Sequence, residues 1–102
     1  MEKKMIENEI ITAIQNKLLL SCFYDGFLRI VEPHCLGRGD KGLLLRCYQK
    51  GGGSSQGGIP DWRLFLVTKI TQLRVLEEHF LQPAPGYRRN DTAMKFGIIA
   101  QL

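Results

Sequence analysis

Ile6, Ile10, Ala13, Ile14 and Lys17 recur at helical spacing through residues 5–17, MIENEIITAIQNK. Glu7 and Glu9 fall in the early turns and Lys17 in the last, the polarity that suits a helix dipole, so the stretch predicts an amphipathic helix with an isoleucine stripe. The pattern then changes to short apolar runs. LLLSCFY and FLRIVEP flank Asp25-Gly26, the strongest short hairpin signal, because a type I′ turn needs positive φ at both central residues. A two-residue turn sets Tyr24 opposite Phe27, Cys22 opposite Arg29 and Leu20 opposite Val31. Pro33, which cannot donate to a ladder, is expected to close this second strand.

HCLGRGDKG reads as a loop and LLLRCYQK as a third strand. Leu43, Leu45 and Cys47 are on its buried side, and Leu44, Arg46, Tyr48 and Lys50 form a cationic and aromatic face. GGGSSQGGIP is the low-complexity segment, a flexible connection that lacks the Lys-Ser/Thr ending of a phosphate-binding loop. WRLFLV predicts a fourth strand, with Trp62, Leu64 and Leu66 on one face and Arg63, Phe65 and Val67 on the other. TKIT breaks the alternation as a tight turn, and QLRVLEEHF resumes as a fifth strand. One helix followed by five short strands with tight connections predicts a mainly β chain: a small five-stranded SH3/Sm-like barrel with an N-terminal amphipathic helix. After Phe80, LQPAPG marks a boundary between a domain over 1–80 and a C-terminal extension over 81–102. There Asn90 or Asp91 suits a helix cap through Lys95, whereas Phe96, Ile98, Ala100 and Leu102 alternate as in a strand. So apolar an end is expected to pack on the barrel or on a partner chain.

At 102 residues the chain has room for one core. The net charge of +4 is unevenly placed: residues 29–74 carry eight Lys/Arg against Glu32, Asp40 and Asp61. A cationic centre favours anionic partners, and the alternative is a positive face kept for solubility. Cys22, Cys35 and Cys47 cannot all pair within the chain, and the two in strand-like runs, Cys22 and Cys47, read as small hydrophobes, which fits a reducing compartment. No apolar run approaches the roughly 20 residues of a membrane span, and no leader pattern opens the chain, so the expected location is cytoplasmic, with no membrane partner.

An AI helix, a strand ending in Tyr, an R-x-V-x-P element, a second strand ending in Tyr and an R-x-F-x-x-x-K-I element occur in that order. They are Ala13-Ile14; Tyr24; Arg29, Val31 and Pro33; Tyr48; and Arg63, Phe65, Lys69 and Ile70. The set, spanning roughly residues 10–80, resembles the WYL domain of bacterial regulators. Departures are Leu43-Leu44-Leu45 in place of the tripeptide that names the family, Leu66 where a second Arg is common and Thr68 where Asp is usual. The resemblance implies an Sm-like barrel that senses nucleic acid or a nucleotide through basic and aromatic residues. Such domains usually accompany a DNA-binding helix-turn-helix, for which this chain has no segment, so a separate DNA-binding regulator is implied as a partner.

Candidate chemistry follows from the strands. Arg29, Arg46 and Arg63 lie among apolar neighbours, and Tyr24 and Tyr48 end strands nearby. Guanidinium forks grip phosphate oxygens and tyrosine rings offer a stacking plane, so Tyr24, Arg29, Arg46, Tyr48, Arg63 and Lys69 are expected to share one ligand site. The alternative is that each Arg lays its stem over apolar surface and sends its head to water or to an acid such as Glu32 or Asp61. No Cys-x-x-Cys or His-x₃-His spacing supports a metal, no paired carboxylates support acid–base work, and nothing marks a cysteine as activated. The expectation is a non-enzymatic regulatory binding domain without a cofactor. The second reading is a protein-interaction module, in which the helix stripe and KFGIIAQL mediate homo-oligomerisation or docking to a separate regulator.

Overall fold

The computed structural model describes residues 2–102, with side chains from Lys4 onward. Helix α1 (Glu2–Asn16) is followed by β1 (Leu18–Tyr24), β2 (Phe27–Gly39), β3 (Gly42–Gly52), β4 (Asp61–Leu66), a 3₁₀ turn (Val67–Lys69), β5 (Thr71–His79) and β6 (Ile98–Gln101). The isoleucine stripe does what its spacing requires: Ile10, Ala13 and Ile14 are fully buried, with Ile6 and Ile11 packed at their margin. Burying each isoleucine contributes about 1.5–3 kcal/mol, far more than helix propensity supplies over such a length. The helix ends at Lys17, which takes a left-handed φ of 53° and turns the chain straight into β1.

The strands form an antiparallel sheet in the order β4-β3-β2-β1-β5, with β6 added beside β2. Asp25 and Gly26 both have positive φ, 49° and 81°, and the register they set is the expected one, with Leu20, Cys22 and Tyr24 opposite Val31, Arg29 and Phe27. The core lies between α1 and the inner face of the sheet, built from Leu20, Cys22, Val31, Leu36, Leu45, Cys47 and Phe65. The 3₁₀ turn carries the chain from β4, at one edge, to β5, at the other. The Leu66 N–H donates to the Tyr24 hydroxyl (2.9 Å), tying the end of β4 to the end of β1.

Four expectations need correction. The sheet is open: β4 and β5 are its edges, six strands form rather than five, and its hydrogen bonding closes no barrel. β2 does not stop at Pro33 but runs on to Gly39, so most of HCLGRGDKG is strand and only its end turns. Pro33 is tolerated because it lies past Val31, the last residue of β2 paired with β1, and before Cys35, the first paired with β6. It also sits at a register shift against β3. In the C-terminal segment no helix forms; the Asp91 carboxylate instead accepts from the Ala93 N–H (3.0 Å) in a turn, and the strand alternative is realised as β6 on β2. No helix among the described residues is long and apolar enough to cross a membrane.

Candidate functional site

Strand register decides which cations meet. Arg63 is opposite Cys47 and Arg29 opposite Cys22, so both side chains lie on the core-facing side of the sheet, where Gln49 lies two residues beyond Cys47. Arg29 is 4% exposed, Arg63 7% and Gln49 not at all. The Gln49 Oε1 accepts from Arg29 Nη1 and from Arg63 Nε, each at 3.1 Å, so one neutral oxygen joins two guanidinium groups. Gln49 Nε2 donates to the Gly51 and Gly53 carbonyls (2.9 and 3.0 Å), and Arg63 Nη2 donates to the Gly57 carbonyl (2.8 Å). The glycine-rich connection, expected to be a loose linker, is therefore fastened at both ends by the site itself.

Arg29 has an unusual environment. Its Nη2 donates to the Tyr24 carbonyl (3.0 Å), and its guanidinium lies 5.4–5.7 Å from the Tyr24, Phe27 and Phe65 ring centres. Tyr24 stacks on Phe65 at 4.1 Å. Among the described residues no carboxylate pairs with Arg29, and its buried Nε has no partner. Arg63 does reach Asp61 (3.2 Å), but that carboxylate is more than half exposed and neutralises it weakly. The pair borders a cleft of about 310 Å³, lined also by Tyr24, Asp25, Ser54, Ser55 and Gln56.

The remaining expected site residues lie elsewhere. Alternation along β3 sends Arg46 and Tyr48 to the outer face, away from Gln49. Arg46 Nε is 2.6 Å from Asp91 Oδ2. Burial alone would raise the Asp91 carboxyl above its ordinary value, but the Arg46 bond and the Ala93 N–H outweigh it and hold the group below. Tyr48 packs edge-on against Trp62 at 5.1 Å, with Lys50 5.8 Å from its ring centre. Lys69 stands exposed on the 3₁₀ turn and lines neither this cleft nor the one beside Arg46. One patch of all six residues is therefore not what the sheet builds: Tyr24, Arg29 and Arg63 come together, Arg46 and Tyr48 share the opposite face, and Lys69 is apart.

Two features escape a reading that looks for charge. Gln49 is the keystone of the inner group; its signal is a polar residue on the inner side of β3, in line with Leu45 and Cys47. His34 is the second. Fully buried, it donates from Nδ1 to the Glu32 carbonyl (2.8 Å) and accepts at Nε2 from the Ala84 N–H (2.9 Å). Phe80, Trp62 and Tyr87 surround its ring at 4.8–5.5 Å. Burial lowers its pKa, against the smaller raising effect of the Glu32 bond. It pins the segment after β5 to the sheet. Burial also pushes the Cys22 and Cys35 thiols up to about 11 and raises Cys47 well above its ordinary value, so all three are protonated and unactivated. No three His, Cys, Asp or Glu side chains among the described residues are grouped to hold a metal ion. No protein-family model matches the chain, and neither a curated protein nor a solved structure matches it.

Proposed function

We propose that this chain is a non-enzymatic regulatory binding domain that takes nucleic acid or a phosphorylated, nucleotide-like ligand in the cleft beside Arg29 and Arg63. One observation carries the reading: Arg29 is buried without a counter-charge, next to a second buried guanidinium that shares its neutral acceptor. Burying a cation costs several kcal/mol unless it is paired, and amide oxygens and ring faces offset only part of that. A phosphate in the cleft supplies the missing charge, and the hydroxyls of Ser54 and Ser55 supply further donors at its rim. Phe27, about one-third exposed, offers a ring beside Arg29 on which a base can stack. The order of elements is in keeping with the WYL resemblance: one helix, four antiparallel strands, then a 3₁₀ turn that leads to a fifth strand beside the first, here in an open sheet. In such an arrangement a separate DNA-binding chain would carry the response.

The test is fluorescence polarisation with a short labelled single-stranded oligonucleotide, comparing the natural chain with Arg29→Met and Arg63→Lys. Arg29→Met should weaken binding at least about tenfold, and Arg63→Lys, which keeps charge but not the fork, by less. Affinity should fall steeply as salt rises, because phosphate binding releases counterions. Binding that ignores Arg29→Met, or that barely changes with salt, refutes the assignment.

The protein-interaction reading expected the helix stripe and KFGIIAQL at the contact. Ile10, Ala13 and Ile14 are instead buried in the chain's own core and residues 98–101 pair with β2, so the reading rests on another surface. Phe23 and Leu28, directly opposite one another on β1 and β2, are 38% and 44% exposed on the outer face. Sedimentation velocity decides it: self-association abolished by Phe23→Ser supports this reading, and a monomer at every concentration removes it.

A further inference from the structure

We propose a second ligand site, for a nucleoside phosphate, in the cleft that the chain after β5 builds against the outer face of β3 and β4. The cleft holds about 360 Å³, within the range of small-molecule sites and large enough for one mononucleotide. Its walls include Arg46, Trp62, Tyr87, Arg88, Arg89 and Asp91. Three arginines against one carboxylate leave two positive charges in excess, and Asp91 is already engaged by Arg46. Arg88 and Arg89 are exposed and make no ion pair among the described residues, so they are free to grip a phosphate.

The aromatic half of the cleft is set before any ligand arrives. Trp62 and Tyr87 lie with ring planes 23° apart and centres 6.1 Å apart, too close for a base to slip between them, so a base stacks on their open side. Trp62 is fixed by its Nε1–H, which donates to the Pro85 carbonyl at 2.9 Å. The Tyr87 hydroxyl donates towards the His34 and Leu102 carbonyls (3.3 and 3.4 Å). Rings already held lose little freedom on binding, and a planar base needs such a platform. Inorganic phosphate would engage only the arginines, and an uncharged nucleoside only the rings. Both halves together select a nucleoside phosphate. Neither Arg29 nor Arg63 takes part, so this site stands or falls separately from the inner one.

Trp62 is the sole tryptophan, which gives a direct reporter. The experiment titrates adenosine monophosphate, adenosine and inorganic phosphate into the full chain, following Trp62 emission and its indole N–H resonance. The nucleotide should shift both signals saturably, and adenosine or phosphate alone should bind at least about tenfold more weakly. Arg88→Ala/Arg89→Ala should weaken the nucleotide by about tenfold or more while leaving thermal unfolding unchanged, because both side chains are exposed. Because Trp62 also borders the inner cleft, Arg29→Met is included. A signal lost in Arg29→Met but kept in the double variant belongs to the inner cleft and overturns this proposal. Equal binding of phosphate and nucleotide, or no shift of the indole resonance, overturns it as well.

Discussion

Gln49 accepts from two cations and donates to two carbonyls at a position with no access to water, so its loss cannot be repaired by solvent. Gln49→Leu keeps the volume but leaves two guanidinium groups facing each other across an apolar side chain. Urea denaturation should show a loss of about 2–4 kcal/mol; a loss under about 1 kcal/mol would mean that the loop carbonyls or entering water satisfy both cations. His34 gives a second test at this scale. Its neutral form is required, because a protonated Nε2 cannot accept from Ala84. A folded pKa below the unfolded value of about 6.5 means that the unfolded chain binds the extra proton, so this contribution is complete above pH 6.5 and fades as the pH falls below it. His34→Gln should flatten the slope of stability against pH below about pH 6.5, and an unchanged slope would place the titration elsewhere. The sequence marks both residues only as polar positions in strand-like surroundings. What they bind is fixed by loops and by a segment some fifty residues away, which no local pattern encodes.

The elements whose chemistry is local were legible and the others were not. Asp25-Gly26 specifies its own turn and therefore the β1–β2 register. Pro33 was misleading because a missing N–H matters only where a neighbouring strand needs it, and β2 changes neighbours at that point, from β1 to β6. The alternation of Phe96, Ile98, Ala100 and Leu102 pointed to the strand β6, but its four residues are all half-buried, so neither its inner face nor its partner β2 was legible. Gly37 shows how closely the final segment is docked: a Cβ there would lie 2.6 Å from the Met94 Cγ and 2.7 Å from the Gly97 carbonyl oxygen. Gly37→Ala should therefore loosen residues 88–101 at a cost of about 1–3 kcal/mol. Trypsin cleavage at Arg88, Arg89 or Lys95 should accelerate relative to the natural chain, and equal rates would show that the turn yields without releasing the strand.

At the scale of the molecule, composition and alternation gave the class, mainly β with one helix, but not the closure of the sheet. Closure depends on twist summed over several strands and on whether the last strand meets the fourth, which a strand count cannot supply. The core that results is shared: α1 packs on β1, β2, β5 and β6 at once, and Cys22 and Cys47 lie inside it, whereas Cys35 is buried on the opposite face of the sheet, across from Arg46. Cys22 and Cys47 should accordingly react with a thiol reagent together, at the rate of global unfolding. One thiol reacting early would locate a region that opens by itself. The amide at position 49 has a wider consequence. Most arginine clusters are held by an aspartate or glutamate, whose titration would switch the local potential off or on with acidity. A carboxamide has no proton to gain or lose in that range, so the bridge that joins Arg29 to Arg63 is the same at every pH at which the chain is folded. Acidity therefore acts on capture there through the captured molecule, such as the second ionisation of a terminal phosphate near about pH 6, and not through the amide that joins the two cations.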